Sequence, residues 1–212
     1  MTREKLIETC LTFGPDFAKT WAEEVISTQS LQTLWELIME RDTLNLSKDD
    51  LEKIEFRSAY ILEAVYCRES ILFSPYLTQF FDLFPTITNG SMRRHFAKIC
   101  FLAIKKGSRP HNIDAIATAC ADWIIDPQTR VAVKAWALDI LTEFATTEHW
   151  IQEMLSEIIA SQTQNPSAGM TVRLRRIKAT LNKMNKYTNI HSGRLYNSPK
   201  ANDKCKYMGT YK

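Results

Sequence analysis

Glycine is scarce in this chain, with 6 in 212 residues, and no Gly-rich loop of the kind that cradles a phosphate occurs. Asn89-Gly90 is the lone Asn-Gly pair and falls between two segments of helical period. The β-branched residues are scattered instead of alternating, so the hairpin signature of a β-protein is missing. There is no run of about 18 apolar residues, which excludes a membrane-spanning helix. The five cysteines (Cys10, Cys67, Cys100, Cys120 and Cys205) are odd in number and lack Cys-x-x-Cys spacing. They therefore read as reduced core thiols, four of them within helical segments, and neither as a disulfide framework nor as a zinc site. His95, His111, His149 and His191 are far apart, with no His-x-x-x-His, so no metal ligand set and no cofactor is expected. Residues Met1–Glu8 are charged and amphipathic where a secretory leader would be apolar, and the expected compartment is the cytoplasm.

What is present is an ordinary soluble composition, 45% hydrophobic and 24% charged, in a chain long enough to bury a core. The net charge of +3 conceals an asymmetry. Residues 1–90 carry 8 Lys and Arg against 15 Asp and Glu, residues 91–185 carry 13 against 8, and residues 186–212 carry 6 against 1. An acidic front and a basic back favour anionic partners at the C-terminal end, or head-to-tail self-contact.

The organising feature is a repeat. Lys134-x-x-Ala137-x-x-x-Leu141 has counterparts at Lys19/Ala22/Ile26, Arg57/Tyr60/Ala64, Arg94/Ala97/Phe101 and Arg173/Arg176/Thr180. The basic residues recur at intervals of 38, 37, 40 and 39 positions. A period near 40 in a strand-poor chain predicts stacked helix pairs. The pairs are expected at 3–12 with 15–28, 30–41 with 48–68, 74–84 with 90–106, 111–125 with 128–145, and 147–162 with 168–185. Ser30, Ser47 and Ser91 are the expected N-caps, and Asp126-Pro127 the expected start of the eighth helix. After Asn185 the period stops. Residues 186–212 read as a basic, flexible tail outside a folded unit of 1–185.

The Asp-Pro turn followed by Val133-Lys134-x-x-Ala137-x-x-x-Leu141 resembles the second helix of HEAT-type repeats. Arg57, Arg94 and Arg173 match the family's basic position and Ala97 its small position, while Tyr60 and Arg176 depart from it. The resemblance covers about residues 3–185 and implies an all-α solenoid of about five antiparallel helix pairs. A group of short bacterial HEAT-like proteins is similar in Arg57–Glu63, Ala97–Cys100, Ala121–Ile125 and Ala132–Ala135. Some of that group bear the label adenylosuccinate lyase. The lyase's loop of Ser, Met, Pro, Lys and Asn is absent here, so lyase chemistry is not expected.

The function expected from this is a non-enzymatic scaffold that binds a protein or peptide on its inner-helix face. Candidate contact residues are Arg57, Tyr60, Arg93, Arg94, Lys98, Lys134, Trp136, Arg173 and Arg176, taken as a group. The structural alternative for the basic ladder is that each cation bonds an acid or carbonyl of the adjacent repeat, because a buried cation must be paired. A second functional reading is nucleic-acid binding through the basic C-terminal half. Its most specific form is a HEAT-like DNA glycosylase, for which Trp123 with Asp126, or Trp136 with Asp139, would be the aromatic and acidic pair. No catalytic residues are assigned.

Overall fold

The structure is a computed structural model that describes residues 1–161 and 168–195, with the side chains of 42, 168 and 185–195 excepted. Among the described residues there is no strand. The α-helices are α1 (Arg3–Leu11), α2 (Phe17–Ser27), α3 (Leu31–Met39), α4 (Lys48–Glu69), α5 (Leu77–Leu83), α6 (Gly90–Lys105), α7 (Ile113–Ile125), α8 (Val131–Phe144), α9 (His149–Ser161) and α10 (Ala168–Leu195). No described helix is long and apolar enough to cross a membrane.

Local chemistry fixes most of the helix ends. Ser47 caps α4 by accepting from the Asp50 N–H at 3.2 Å, and its hydroxyl reaches the Asp50 carboxylate at 2.9 Å. For α6 the cap is Asn89, not Ser91: Asn89 Oδ1 accepts from the N–H groups of Ser91 and Met92 at 2.9 and 3.0 Å. Ser30 makes no capping bond to α3; its hydroxyl meets that of Thr28 at 2.7 Å. At the C-terminal end of α6, Gly107 takes φ +95°. Ser108 N–H then bonds to Ala103 O and Gly107 N–H to Ile104 O, which satisfies the last carbonyls.

Two expectations change in the connections. Asp126-Pro127 does not open a helix. Asp126 accepts from Gln128 N–H and the Thr129 hydroxyl, each at 2.9 Å, and this Asx turn occupies the residues up to Arg130, so α8 starts at Val131. The helix expected over 74–84 is also divided. A 3-10 stretch at Ser70–Tyr76 precedes the seven-residue α5, and another at Phe84–Thr86 follows it, because Pro75 and Pro85 cannot donate to a continuous α-helical ladder. Helix α10 continues to Leu195, past Asn185. The rest of the expected tail, 196–212, and the connection at 162–167 lie outside the described residues.

The apolar sides determine how the helices pack. α4 carries buried Ile54, Ala59, Ile61, Leu62, Val65 and Tyr66 around much of its circumference, and it packs against α1, α2, α3 and α6. α6 lies between α4 and α8, and α8 touches α6, α7, α9 and α10. α1 and α2 both lean on α4. In the centre an aromatic cluster joins α3, α5, α6 and α7 with the 3-10 stretches beside α5. Phe73 meets Trp35 edge-on at 5.4 Å and Phe80 at 5.6 Å, Phe80 stacks on Phe96 at 4.9 Å, and Phe84 lies 4.9 Å from Trp123. Ala22, Ala97 and Ala137, which share one repeat position, are fully buried. At the same position Tyr60 is half-buried and Arg176 is exposed.

Candidate functional site

The even-numbered helices α4, α6, α8 and α10 pack in series, and a buried acid lies at two of their joints. At the α4–α6 joint the central group is Glu63, which is 8% exposed. Its Oε1 accepts from Lys98 Nζ at 2.5 Å and its Oε2 lies 2.6 Å from His95 Nδ1. A carboxylate can only accept, so Nδ1 is the protonated ring nitrogen. Burial pushes the Glu63 carboxyl up, but the hydrogen bonds from His95 and Lys98 outweigh it and hold the group below the ordinary glutamate range. Burial likewise opposes the charge on Lys98, and the bond to Glu63 overcomes it, so the ammonium is held above the usual lysine value. The His95 ring is packed against Tyr60 at 4.9 Å and Phe56 at 5.5 Å, and its Nε2 is buried with no partner among the described residues.

The α8–α10 joint repeats this device with different residues. Asp139 on α8 is 5% exposed and sits between Arg173 Nη2, at 3.1 Å, and Arg176 Nη2, at 3.3 Å. In both joints a buried acid on one helix receives two bases spaced three apart on the next, His95-x-x-Lys98 and Arg173-x-x-Arg176. Burial lifts the Asp139 carboxyl above the usual aspartate range, against the pull of Arg173 and Arg176. Arg173 also stacks over Trp136, with 5.6 Å from Cζ to the ring centroid. Trp136 in turn meets Phe101 of α6 at 5.5 Å, and Lys105 pairs with Glu143 at 3.2 Å, so the α6–α8 joint is aromatic with an ion pair at its rim.

The remaining expected contact residues have mixed placements. Arg57 donates to the carbonyl of Cys10 at 2.7 Å and lies over Phe13 at 5.1 Å, joining α4 to the end of α1. Arg93 donates through Nε to the Ile87 carbonyl at 2.8 Å and covers Trp123 at 5.1 Å, which puts it on the α7 side of α6. Lys134 is half-buried and Arg94 exposed. The structure therefore brings Tyr60 and Lys98 together with Glu63 and His95, and Trp136, Arg173 and Arg176 together with Asp139. Arg57 and Arg93 belong to separate places. Sequence reasoning nominated the bases and missed Glu63; it considered Asp139 only as an acidic partner for Trp136 and left His95 out of the contact group. A buried-phase acid five or six positions after the repeat's basic residue (Glu63 after Arg57, Asp139 after Lys134) is the signal that could have found them.

Between the N-terminal ends of α8 and α10 lies a cleft of ≈ 630 Å³ lined by Val131, Ala132, Ala135, Met170, Val172, Arg173 and Arg176, among others. Val131 and Val172 are 52% and 66% exposed, so the walls are apolar and open, with Arg173 and Arg176 also in the lining. At a separate cleft, Trp123 is buried under Arg93, with Asp114, Asp122 and Asp126 in the lining. Neither Trp-Asp pair stands free: Asp126 is tied to its turn and Asp139 to two guanidiniums. Among the described residues no group of three or more His, Cys, Asp or Glu is placed to hold a metal ion. Cys10, Cys100 and Cys120 are buried, with desolvation pushing the Cys10 thiol up to about 12 and the other two well above the usual range. Cys67 departs from the expected core thiol and is exposed, and Cys205 lies outside the described residues. Comparison of the chain with family models, curated proteins and solved structures finds no match.

Proposed function

We propose that the protein is a non-enzymatic peptide-binding scaffold, an open stack of HEAT-like helix pairs whose partner docks at the α8–α10 end of the inner row. The serial packing of α4, α6, α8 and α10, with matching acid–base joints, supports an array of like units over a closed bundle. The observation that carries the binding reading is the apolar cleft of Val131, Ala132, Ala135 and Val172 with Arg173 and Arg176 among its lining residues. Exposed valines on a polar surface have an energetic incentive to be covered, since apolar burial contributes about 25 cal/mol per Å². The flanking guanidiniums favour a partner whose apolar side chain is followed or preceded by a carboxylate, since Arg pairs with carboxylates through two donors.

A peptide-display selection against the whole protein tests this. Enrichment of sequences with an aliphatic or aromatic residue next to Asp or Glu is expected, with binding lost in Val172→Asp and weakened about tenfold in Arg176→Ala. Val172 is exposed, so its substitution leaves the fold intact. If no class of peptide is enriched, or the enriched peptides bind Val172→Asp as well as the native protein, the proposal fails.

A further inference from the structure

The most uneven charge distribution in the molecule is on α10. Residues 168–195 contain seven Lys and Arg and no Asp or Glu, and residues 168–212 carry 11 cations against a single acid. The preceding 167 residues carry 16 against 23. Helix propensity alone does not require this, because Glu is as good a helix former as Lys. The apolar side of α10, Leu174, Ile177 and Leu181, is buried, and the helix packs against α8 and α9. Its outer side exposes Val172, Arg175, Arg176, Lys178, Ala179, Asn182 and Lys183. Arg176 is partly committed to Asp139, whereas Arg175, Lys178 and Lys183 form no ion pair among the described residues.

We infer that this outer face of α10 binds the phosphate backbone of double-stranded nucleic acid, without reading its sequence. This surface adjoins the peptide cleft and shares Val172 and Arg176 with it, but Arg175, Lys178 and Lys183 lie outside the cleft lining, and the inference does not rest on that assignment. The charge is complementary, and Arg175 to Lys183 span about 12 Å of helix axis, a length over which a duplex presents about seven phosphate charges. Base stacking on single strands needs exposed aromatic side chains, and the outer residues from Val172 to Lys183 include none. A membrane surface would need the apolar stripe of the helix, which is already used against the rest of the fold. An acidic peptide would need a groove, and this is the convex side of a helix.

The test is fluorescence anisotropy with the full chain and a labelled 24-base-pair duplex at 50–300 mM KCl, beside an oligo-dT strand, a polyglutamate peptide and phosphatidylserine vesicles as competitors. The inference expects duplex binding that falls steeply with salt. In Arg175→Ala/Lys178→Ala/Lys183→Ala affinity should drop at least tenfold at 100 mM salt, and the slope of log affinity against log salt should flatten by roughly 2 to 3. These three side chains are exposed, and an unchanged thermal melt checks that the variant folds. A second variant, Lys200→Gln/Lys204→Gln/Lys206→Gln/Lys212→Gln, separates the helix from the residues beyond it. Absence of duplex binding at 50 mM salt overturns the inference. So does loss of binding in the second variant with none in the first, or competition by polyglutamate, vesicles or oligo-dT as effective as by unlabelled duplex.

Discussion

Glu63 Oε2 lies 2.6 Å from Nδ1 of His95, a residue 32 positions further along the chain and 1% exposed, and this contact joins two helices that share no local sequence. The same carboxylate holds Lys98, so one side chain carries the polar part of the α4–α6 joint.

Removing it should therefore be expensive. Glu63→Ala leaves the buried His95 Nδ1–H and the Lys98 ammonium without their acceptor, and the expected loss is about 3 kcal/mol by urea denaturation. Lys98→Met should cost less, because Glu63 keeps His95 and the lost ammonium was one-third exposed.

The pH dependence follows from two carboxyls with opposite signs. Glu63 is held below the ordinary value of 4.5, so between the two values the unfolded chain binds the extra proton. Its stabilisation is present above pH 4.5 and is lost as the pH falls through the folded value. Asp139 is held above 3.8, so just above that pH the folded chain binds the extra proton and its contribution grows on acidification. Thermal melts between pH 3 and 6 should show Glu63→Gln flattening the acid loss and Asp139→Asn steepening it.

The two arginines on Asp139 should not be equivalent. Arg176 is 70% exposed and Arg173 25% exposed, and Arg173 also covers Trp136. Arg176→Ala is expected to cost under about 0.5 kcal/mol, as surface pairs do. Arg173→Ala should cost about 1–2 kcal/mol and shift Trp136 emission, which a Trp136→Phe background would verify.

Gln29 ends α2 with φ +53°, and the bonds around it match those around Gly107: Ser30 N–H to Val25 O and Gln29 N–H to Ile26 O. A side chain is disfavoured in that region and glycine is not. Gln29→Gly should raise stability by about 0.5–1 kcal/mol, and Gly107→Ala should lower it by about 1 kcal/mol, both read from denaturation midpoints.

Thiol titration checks the burial of the cysteines. In a Cys205→Ser background, native protein should react rapidly at Cys67 alone, and three further thiols should appear on unfolding. Rapid reaction of Cys100, whose thiol is fully buried, would contradict the packing of α6.

Much of the helical framework was legible because it is local. The apolar period placed α4 within a residue or two, and Ser47 marked its start. The start of α6 at residue 90 matches the period, but its cap is Asn89 instead of Ser91, and α8 begins later than expected because Asp126 forms an Asx turn. Such one- to four-residue competitions are decided by geometry that a period does not record. Pro75 and Pro85 flanked α5, but how much of the segment would be 3-10 depended on fitting Phe73, Phe80 and Phe84 into the aromatic centre.

The sequence by itself determined the all-helical class, the recurrence of a basic residue at intervals of 37–40 positions and the polarity of charge from one end to the other. These follow from side-chain period and composition, which act over a turn or two of chain. Only the tertiary structure decided what each base meets: a carbonyl for Arg57, Glu63 for Lys98, Asp139 for Arg173, and open solvent for Arg175. Those choices depend on which helices, some 35 residues apart, settle against one another and how deeply their acids are buried. No local preference encodes either.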